Sequence, residues 1–472
     1  MKIRNIPLLY ISAICLSLAS CNSSPKNSLI LVTQVPGGIT NPEMNSTGSW
    51  RHIPGSQIVA LNPEKPGYEK LLTGDFHSAC YPEISYDGRY MLFSAKENEG
   101  DPWQIFEMEI RKGEARIITS SKADCLDPVY LPAGRMAFTK YTVNDTVKSA
   151  LCLYAGNLDG TNISQITFGP SDALATSVLN DGRLLTVSRN LIPETGGQMF
   201  TVMRPDGTKA DMFYKGAPGS SLLSRPRETH DGRIIFIEKG DGNHSEGDLV
   251  SITYNRPLYS RINLTADIEG DFISALPLLS GRMLVSYHRP GTGKSVLCEF
   301  DPAERSVGKV LYENDEYNVA DAVLAVKYER PKKLPSEVDM GVRTGLLLCQ
   351  DVNFTGFHPA GANTGTPHAS MVEILGIDST YGAVPVEIDG SIYLKIIADT
   401  PFRIRTLDKN GRVIDGSCTW LWVRPNERRG CVGCHEDPET VPKNRIPEAV
   451  KKDPYIIPVH ITEIKEKTVE LE

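Results

Sequence analysis

Short apolar segments recur along the first two thirds of the chain, and each follows a polar turn that ends in a Gly-Arg pair. These pairs begin at residues 88, 134, 182, 232 and 281, so the spacings are 46, 48, 50 and 49 residues. The glycine allows a positive φ in the turn, and the apolar segment after it is typical of a β-strand. A repeat of this length has room for about four strands and predicts the blades of a β-propeller.

A second pattern marks the outer half of each repeat and occurs six times, first at 58–74 and last at 296–314. Six outer halves against five inner halves imply that one blade takes its inner strands from elsewhere, either from residues 28–33 or from 320–328. A ring that both chain ends close lacks the exposed sheet edges that an open stack would present. We therefore predict a six-bladed propeller over residues 21–335, with a sandwich of irregular hairpins as the alternative. The repeats resemble those of TolB, whose strands end in a Ser-x-Asp-Gly turn.

The region from Gly345 onward predicts a second, smaller β domain. Its apolar segments are separated by pairs of residues that favour hairpin turns, namely Asp389-Gly390, Asn410-Gly411 and Asp415-Gly416. We expect a β-sandwich-like domain over 336–472, with a strand at 419–424 and an extended, proline-rich tail. Trp420 and Trp422 would share one face of that strand, where they could cover a flat cofactor or belong to the core.

The composition supports an all-β protein and excludes one class of partner. The 472 residues include 40 Gly and 32 Pro, and few segments have a long helical pattern. The formal net charge is -8, without a basic cluster. An acidic chain of this kind is a poor nucleic-acid binder.

The first residues predict export and a lipid anchor. Lys2 and Arg4 precede an apolar run over 6–18, and Leu-Ala-Ser then leads into Cys21. This arrangement is typical of a signal peptide over 1–20 that is cleaved before a lipidated cysteine, although Cys21 could also be an ordinary cysteine. Asn22 and Ser23 follow instead of an inner-membrane retention signal. We expect the mature chain in the cell envelope, anchored on the periplasmic side of the outer membrane.

The chemical motif with the highest specificity is Cys431-Val-Gly-Cys434-His435. Two thiols at this spacing reach the two vinyl groups of one porphyrin, and the next residue supplies the proximal iron ligand. The motif predicts one covalent haem c, which is attached after export and so agrees with the signal peptide. The alternatives are a disulfide between Cys431 and Cys434 or half of a zinc site.

The sixth ligand of such an iron decides between electron transfer and small-molecule chemistry. His368 and His358 lie in a loop-rich segment at the start of the second domain, and Met371 follows. Each is a candidate distal ligand, and each could equally be an ordinary loop residue.

A second candidate site comes from the propeller. Asp75, His77 and Cys80 precede the first Gly-Arg strand, and Cys125, between Asp124 and Asp127, precedes the next. If these positions are neighbours around the central channel, they could bind zinc or line a polar pocket. A Cys80–Cys125 disulfide or two buried thiols are the alternatives.

The segment VPVEIDGSIYLKIIADTPFRIRTLDKNGRVI, followed by CVGCHE, resembles the middle domain of the hydrazine synthase alpha-subunit family. In that family a TolB-like propeller comes first, which here matches SYDGRYMLFSA and ADCLDPVYLPAGR. The resemblance implies a propeller packed against a haem domain, with the haem near the propeller.

Two differences limit what the resemblance implies. The family has a further domain with a second haem motif, whereas this sequence contains one such motif. In the family the middle-domain haem also has a Tyr ligand soon after the motif, whereas residues 436–440 contain no Tyr. His435 therefore remains the expected proximal ligand, and hydrazine synthesis by this chain alone is not expected. We expect electron transfer or redox chemistry on small nitrogen compounds with a redox partner protein, and leave open whether the chain is an enzyme. The alternative is a propeller-based binding or scaffold lipoprotein whose C-terminal motif carries no haem.

Overall fold

The described part of the chain is built almost entirely from β-strands. The computed structural model describes residues 28–37, 51–193, 195–216, 219–240, 247–354, 368–416, 419–433 and 444–458. These residues form 33 strands, numbered β1 to β33 along the chain, and a short 3₁₀ helix at Glu448–Lys451. None of the described helices is long and apolar enough to cross a membrane.

Six sheets form the blades of the propeller, as the repeat predicts. Blade 1 contains, from the centre outward, β25 (Tyr317–Ala325), β1 (Leu29–Pro36), β2 (Gln57–Leu61) and β3 (Glu69–Leu71). Blade 2 contains β4 (Ser78–Ile84), β5 (Tyr90–Lys96), β6 (Gln104–Glu109) and β7 (Glu114–Ile117). Blade 3 contains β8 (Cys125–Leu131), β9 (Arg135–Asn144), β10 (Lys148–Asn157) and β11 (Ser164–Gln165).

The remaining three blades follow the same order. Blade 4 contains β12 (Ser171–Val178), β13 (Leu184–Asn190), β14 (Gln198–Met203) and β15 (Asp211–Tyr214). Blade 5 contains β16 (Ser221–Leu222), β17 (Arg227–Glu228), β18 (Arg233–Lys239), β19 (Asp248–Thr253) and β20 (Ile262–Asn263), and its inner strand is split into β16 and β17, both paired with β18. Blade 6 contains β21 (Asp271–Pro277), β22 (Met283–His288), β23 (Ser295–Asp301) and β24 (Ser306–Tyr312).

Both ends of the propeller segment close the ring. The sequence offers residues 28–33 or 320–328 for the missing inner strands, and the structure uses both, since β1 pairs with β2 on one side and with β25 on the other. Leu31 lies opposite Ala60 in β2 and Val323 in β25. Its side chain is fully buried in the core between blades 1 and 2. The propeller is therefore closed by hydrogen bonds between segments almost three hundred residues apart.

The inner strands of blades 2, 3 and 4 carry a bulge at the same place. Tyr81, Asp127 and Ala175 each stand seven residues before the turn glycine of their repeat and have φ values of 51°, 49° and 52°. The register of each inner strand shifts at this point. Such a bulge turns a side chain out of the regular alternation of the strand. In blade 3 it turns Asp127, which is completely buried, toward the centre of the ring.

The second domain is a sandwich of two four-stranded sheets, as predicted. One sheet has the order β32 (Arg428–Gly433), β26 (Thr344–Asp351), β29 (Ile392–Ile397) and β33 (Tyr455–Ile457). The other has the order β28 (Thr380–Pro385), β27 (Met371–Leu375), β30 (Arg403–Leu407) and β31 (Val413–Asp415). Apolar side chains from both sheets, among them Leu347, Val372 and Leu394, form one core.

One strand prediction in this domain is wrong. Residues 419–424 form no regular strand, and Leu421 only makes an isolated bridge to Phe402. The reason is that the side chains of Trp420 and Trp422 hydrogen-bond to the propeller, so this segment packs between the domains instead of entering a sheet. The first cysteine of the haem motif lies within β32.

We expect Leu31→Ala to weaken ring closure. The substitution removes buried methyl groups between two blades, so the free energy of unfolding should fall by about 2–5 kcal/mol. Urea denaturation measures this change. Leu279→Ala is the matched control because Leu279 is 87% exposed, and its effect should be small. Equal losses in both variants would contradict the role of Leu31 in closure.

Candidate functional site

The haem motif begins at the open edge of the sandwich. β32 is the outermost strand of its sheet and runs parallel to β26, where Cys431 lies opposite Cys349. The Cys431 side chain is half-buried and packs against the sandwich core, whereas Cys349 is buried. Cys434 and His435 lie outside the described residues. The part of the motif that is described therefore places one half-buried thiol near the end of an edge strand.

Arg429, two residues before Cys431, fastens this strand to the propeller. Its buried guanidinium donates hydrogen bonds to the carbonyl of Ala210 and, at 2.6 Å, to Oδ1 of Asp211 in blade 4. It also donates to the carbonyl of Trp422. Burial alone lowers the pKa of Arg429, but the Asp211 carboxylate outweighs it and the pKa is raised. The guanidinium therefore stays charged between the two domains.

Trp420 and Trp422 belong to the same interface. The indole Nε1 of Trp420 donates to the carbonyl of Ile192 at 2.7 Å, and that of Trp422 donates to the carbonyl of Gly207 at 3.2 Å. Trp422 also packs in the apolar core that blades 3 and 4 share. Of the two sequence-based interpretations, the structure favours core packing, since both rings are buried against the propeller.

Charged side chains complete the contact. Arg424 donates from Nη1 to the carbonyl of Gln165 at 2.9 Å, and its guanidinium lies over the ring of Phe168. Glu427 accepts hydrogen bonds from the backbone N–H of Lys209 and of Arg424, both at 2.7 Å. Burial raises the pKa of Glu427. The segment that leads into the haem motif is thus held on the propeller through backbone and side-chain atoms.

Other loops meet the motif at the same end of the sandwich. A Cβ added to Gly433 would lie 2.1 Å from the carbonyl oxygen of Phe354, so the chain after β26 contacts the motif directly. Asn353 accepts a hydrogen bond from the backbone N–H of Ala369 at 2.8 Å. Exposed His368 precedes Ala369, and the distal candidate therefore lies at the end of the sandwich that carries Cys431.

Of the other two candidate distal ligands, the structure describes only Met371. Met371 is the first residue of β27 and is partly exposed. His358 lies outside the described residues, as does the predicted lipidation site Cys21 with the signal peptide 1–20. These assignments remain predictions.

The second predicted metal site is not assembled. Asp75 and His77 are exposed, whereas Cys80 and Cys125 are buried as free thiols in different apolar clusters. Over the described ranges, no group of three or more His, Cys, Asp or Glu side chains could hold a metal ion. The reason is register: Cys80 stands eight residues before its turn glycine and Cys125 nine residues before its own, so the side chains point to opposite faces of their strands.

A different group occupies the propeller centre. The segment before β2 brings Arg51 and His52 next to Asp127 of blade 3, and Arg225 approaches from blade 5. Oδ1 of Asp127 lies 3.9 Å from Arg51 Nη2, 3.7 Å from His52 Nε2 and 3.7 Å from Arg225 Nη2. The other Asp127 oxygen accepts a 2.7 Å hydrogen bond from the N–H of Ala175. Of this group, sequence reasoning named only Asp127, because no spacing along the chain relates the other three residues.

The side chains of this central cluster, defined as Arg51, His52, Asp127 and Arg225, shift one another's pKa values. Burial alone raises the pKa of Asp127, but the two guanidinium groups and His52 lower it to about 2. Burial lowers the pKa of His52 to about 4, and it also lowers that of Arg225. Burial opposes the charge of Arg51 as well, but Asp127 beside it raises that pKa. At neutral pH the cluster holds two cations, one anion and a neutral imidazole.

Comparison with known proteins relates the chain to one group. Residues 350–436 match the family described as hydrazine synthase alpha subunit middle domain. The hydrazine synthase subunit alpha of Kuenenia stuttgartiensis is 23% identical, over 86% of this chain and 66% of that subunit, so this chain spans just under two thirds of its relative.

One solved structure shows the same fold. The Kuenenia stuttgartiensis hydrazine synthase structure aligns with a TM-score of 0.76 and 22% identity, over 90% of this chain and 71% of that one. TolB from Acinetobacter baumannii aligns with a TM-score of 0.44 and 14% identity, over 63% of this chain and 67% of that one.

We expect Arg429→Gln to loosen β32 from the propeller. The variant loses charge-assisted hydrogen bonds to blade 4, which should lower the free energy of unfolding by about 1–3 kcal/mol. It should also speed protease cleavage in the interdomain segment 326–343. Arg428→Gln is the control, because the neighbouring Arg428 is exposed. Similar cleavage rates for both variants would argue against this anchoring role.

We also expect stability to fall between pH 7 and pH 4 because of His52. Its folded pKa of about 4 lies below the ordinary value of 6.5, so the unfolded chain binds more protons in this range. The resulting contribution of His52 to the free energy of unfolding is about 3 kcal/mol. It is complete above pH 6.5 and is lost as the pH falls toward 4. Denaturation at several pH values measures it. His52→Gln should flatten the slope, whereas His230→Gln, at an exposed position, should keep it; an unchanged slope in His52→Gln would refute the assignment.

Proposed function

We propose that this relative of the hydrazine synthase alpha subunit is an exported lipoprotein that carries one covalent c-type haem and works in redox chemistry. The observation that carries the proposal is the motif Cys431, Cys434 and His435, whose first thiol lies at the end of an edge strand that is fixed to the propeller. The chemistry is either electron transfer or the conversion of a small nitrogen compound.

The residues of the motif fit a haem. The half-buried thiol of Cys431 packs at the rim of the sandwich core, where one side of the porphyrin would find apolar surface. Cys431 and Cys434 would each add a thiol across a porphyrin vinyl group, and His435 would bind the iron. When bound, the haem supplies an iron that gains and loses one electron.

The buried cation of Arg429 would position the haem-bearing strand. It stands two residues before the first attachment cysteine and pairs with the carboxylate of Asp211 in blade 4. His368 is our first candidate for the sixth ligand because the next residue, Ala369, is bonded to Asn353 at the end of the sandwich that carries Cys431; His358 and Met371 are the others.

The rest of the proposal follows from the sequence. Cleavage before Cys21 and lipidation there would hold the chain at the periplasmic side of the outer membrane, within reach of a redox partner protein. Because the chain spans 66% of its relative and lacks a Tyr at 436–440, we do not assign hydrazine synthesis to it alone.

A second function is favoured by the central cluster of the propeller. Buried polar atoms without partners at a channel centre are typical of a binding site. A propeller-based binding lipoprotein without haem would keep this cluster and would have Cys431 and Cys434 as a disulfide or as thiols.

Mass spectrometry of the exported, matured chain distinguishes the two functions. We expect one covalently bound haem and the visible spectrum of a c-type cytochrome in the wild type, and no covalent haem in Cys431→Ala with Cys434→Ala. Cys298→Ala, which changes a buried cysteine of blade 6, should keep the haem. If the matured wild-type chain, made in cells that mature c-type cytochromes, has a mass without added haem, the proposal is refuted.

The ferric spectrum then separates the two kinds of redox protein. A low-spin, six-coordinate iron that ignores nitric oxide and hydroxylamine indicates an electron carrier. A high-spin iron that binds them indicates small-molecule chemistry.

A further inference from the structure

Both ends of the propeller segment lie at the end of the ring that carries the Gly-Arg turns. Leu29, the first residue of β1, pairs with Ala325, the last residue of β25. Val326 then passes over the turn of blade 2, since a Cβ added to Gly88 would lie 2.6 Å from the carbonyl carbon of Val326. Blade 1 therefore has the two chain ends where the other five blades have their Gly-Arg turn. We call this end of the propeller the turn face.

The segment that leaves β25 crosses the turn face and carries an excess of positive charge. The backbone N–H of Tyr328 donates to the carbonyl of Tyr86, and that of Lys332 donates to the carbonyl of Asn180, so residues 326–333 lie on the turns of blades 2 and 4. This basic segment has one carboxylate, Glu329, against four exposed cations: Lys327, Arg330, Lys332 and Lys333. Within the described ranges, none of the four cations forms a salt bridge. The backbone is thus fixed on the propeller while the charges face the solvent.

The five turns add positive charge to the same face. Each has an arginine after its glycine, whereas only three have an aspartate before it, at positions 87, 181 and 231. Part of this excess is balanced, because Glu109 lies 3.7 Å from Arg89 and Glu299 lies 3.0 Å from Arg282. Glu228 also lies here and accepts a 2.7 Å hydrogen bond from the N–H of Asn180. The free positive charge therefore comes mainly from the basic segment, and the fold collects on one face cations that are scattered along the chain.

The turn face is open to the solvent. The side chains of Arg89 and Arg282 are 63% and 54% exposed. The sandwich contacts the propeller at the outer strands of blades 3 and 4, through Gln165 and Asp211, and leaves these arginines uncovered. A large flat partner can therefore approach the face.

The opposite end of the propeller has the opposite sign. Exposed carboxylates stand in the loops that join β3 to β4, β5 to β6, β20 to β21 and β24 to β25, namely Asp75, Glu97, Glu99, Glu269 and Glu316. Two cations at this end, Arg289 and Lys294, are already paired with Glu313 and Asp315. An anionic surface would repel this end and attract the turn face.

The lipid anchor proposed above would hold the same face at the membrane. Lipidation of Cys21 would place the acyl chains seven residues before Ser28, where the described chain enters β1. Seven residues of extended chain span at most about 25 Å. A seven-residue strand is itself about 23 Å long, so the acidic end could reach the membrane only if the tether ran back along the whole propeller. The anchor therefore favours the turn face as the side next to the lipid.

From the charge and the tether we propose that the turn face is a docking surface for anionic phospholipid headgroups, with the basic segment as its main contact. The proposal rests on the lipidation of Cys21 in the proposed function. The acyl chains would fix the protein to the membrane, and the headgroup contacts would fix its orientation. Each lysine or arginine close to an anionic membrane strengthens binding about fivefold, so the basic segment alone can contribute measurable affinity.

Vesicle sedimentation of the full-length chain with Cys21→Ser, which has no lipid anchor, tests the surface by itself. At low ionic strength this chain should sediment with vesicles of equal parts phosphatidylglycerol and phosphatidylcholine, and added salt should weaken the binding because it screens the charges. Vesicles of pure phosphatidylcholine should not bind it. Equal binding to both kinds of vesicle, or binding to neither, would overturn the inference.

Charge-reversal variants of the same chain locate the contact. Lys332→Glu with Lys333→Glu should weaken binding to the anionic vesicles at least about tenfold. Lys215→Glu with Lys239→Glu makes the same change in net charge at exposed positions of the acidic end, and its affinity should stay within about twofold of the parent chain. Equal losses in the two variants would indicate an effect of net charge and refute the docking surface.

The mass of the wild-type chain determines separately whether Cys21 is acylated. An acylated wild type whose Cys21→Ser form ignores anionic vesicles would refute the docking surface and leave the lipidation intact. A wild type without acyl chains whose Cys21→Ser form binds through the basic segment would refute the lipidation and support the surface.

Discussion

The pairing of β1 with β25 is the constraint on which the rest of the structure depends. It joins residues from the two ends of the propeller segment into one sheet, and it leaves β25 as the innermost strand of blade 1. The chain that precedes β2 can then bring Arg51 and His52 to the centre, and the chain that follows β25 leaves from the inside of the ring. Tyr328 and Lys332 bond to the turns at Tyr86 and Asn180 on the way to the sandwich. Closure therefore positions both candidate sites.

The two sites differ in how they are held. The haem motif lies on an edge strand of a small sandwich, which is fixed through Arg429, Arg424 and the two tryptophans to blades 3 and 4. In the central cluster, by contrast, a bulge in the innermost strand of blade 3 directs Asp127 inward. Arg51 and His52 come from the segment before β2, and Arg225 comes from the break between β16 and β17. The interface residues form hydrogen bonds with the propeller, whereas several atoms of the central cluster have no partner in the described chain. This difference explains why we interpret the interface as structural.

The relation to hydrazine synthase concerns the framework of propeller and sandwich, which aligns over 90% of this chain. Identity of 22–23% preserves the fold but leaves most side chains different. Function has to be argued from the local chemistry of the site, because one fold serves many activities. In this chain that chemistry consists of the haem motif, the cation two residues before it, and the buried cluster at the propeller centre.

The sequence by itself determined the features that depend on local order. The turn glycines and apolar segments predict six blades, since strand alternation and turn preference act between neighbouring residues. The spacing of Cys431, Cys434 and His435 likewise predicts haem attachment, because two thiols and an imidazole at this spacing can reach one porphyrin and its iron. Only the tertiary structure decided the rest. A one-residue difference in register sends Cys80 and Cys125 to opposite faces, Trp420 and Trp422 pack on the propeller instead of entering a strand, and Arg51, His52 and Arg225 meet Asp127 across the ring. These contacts join residues that are distant in the chain, where periodicity and spacing provide no information about distance in space.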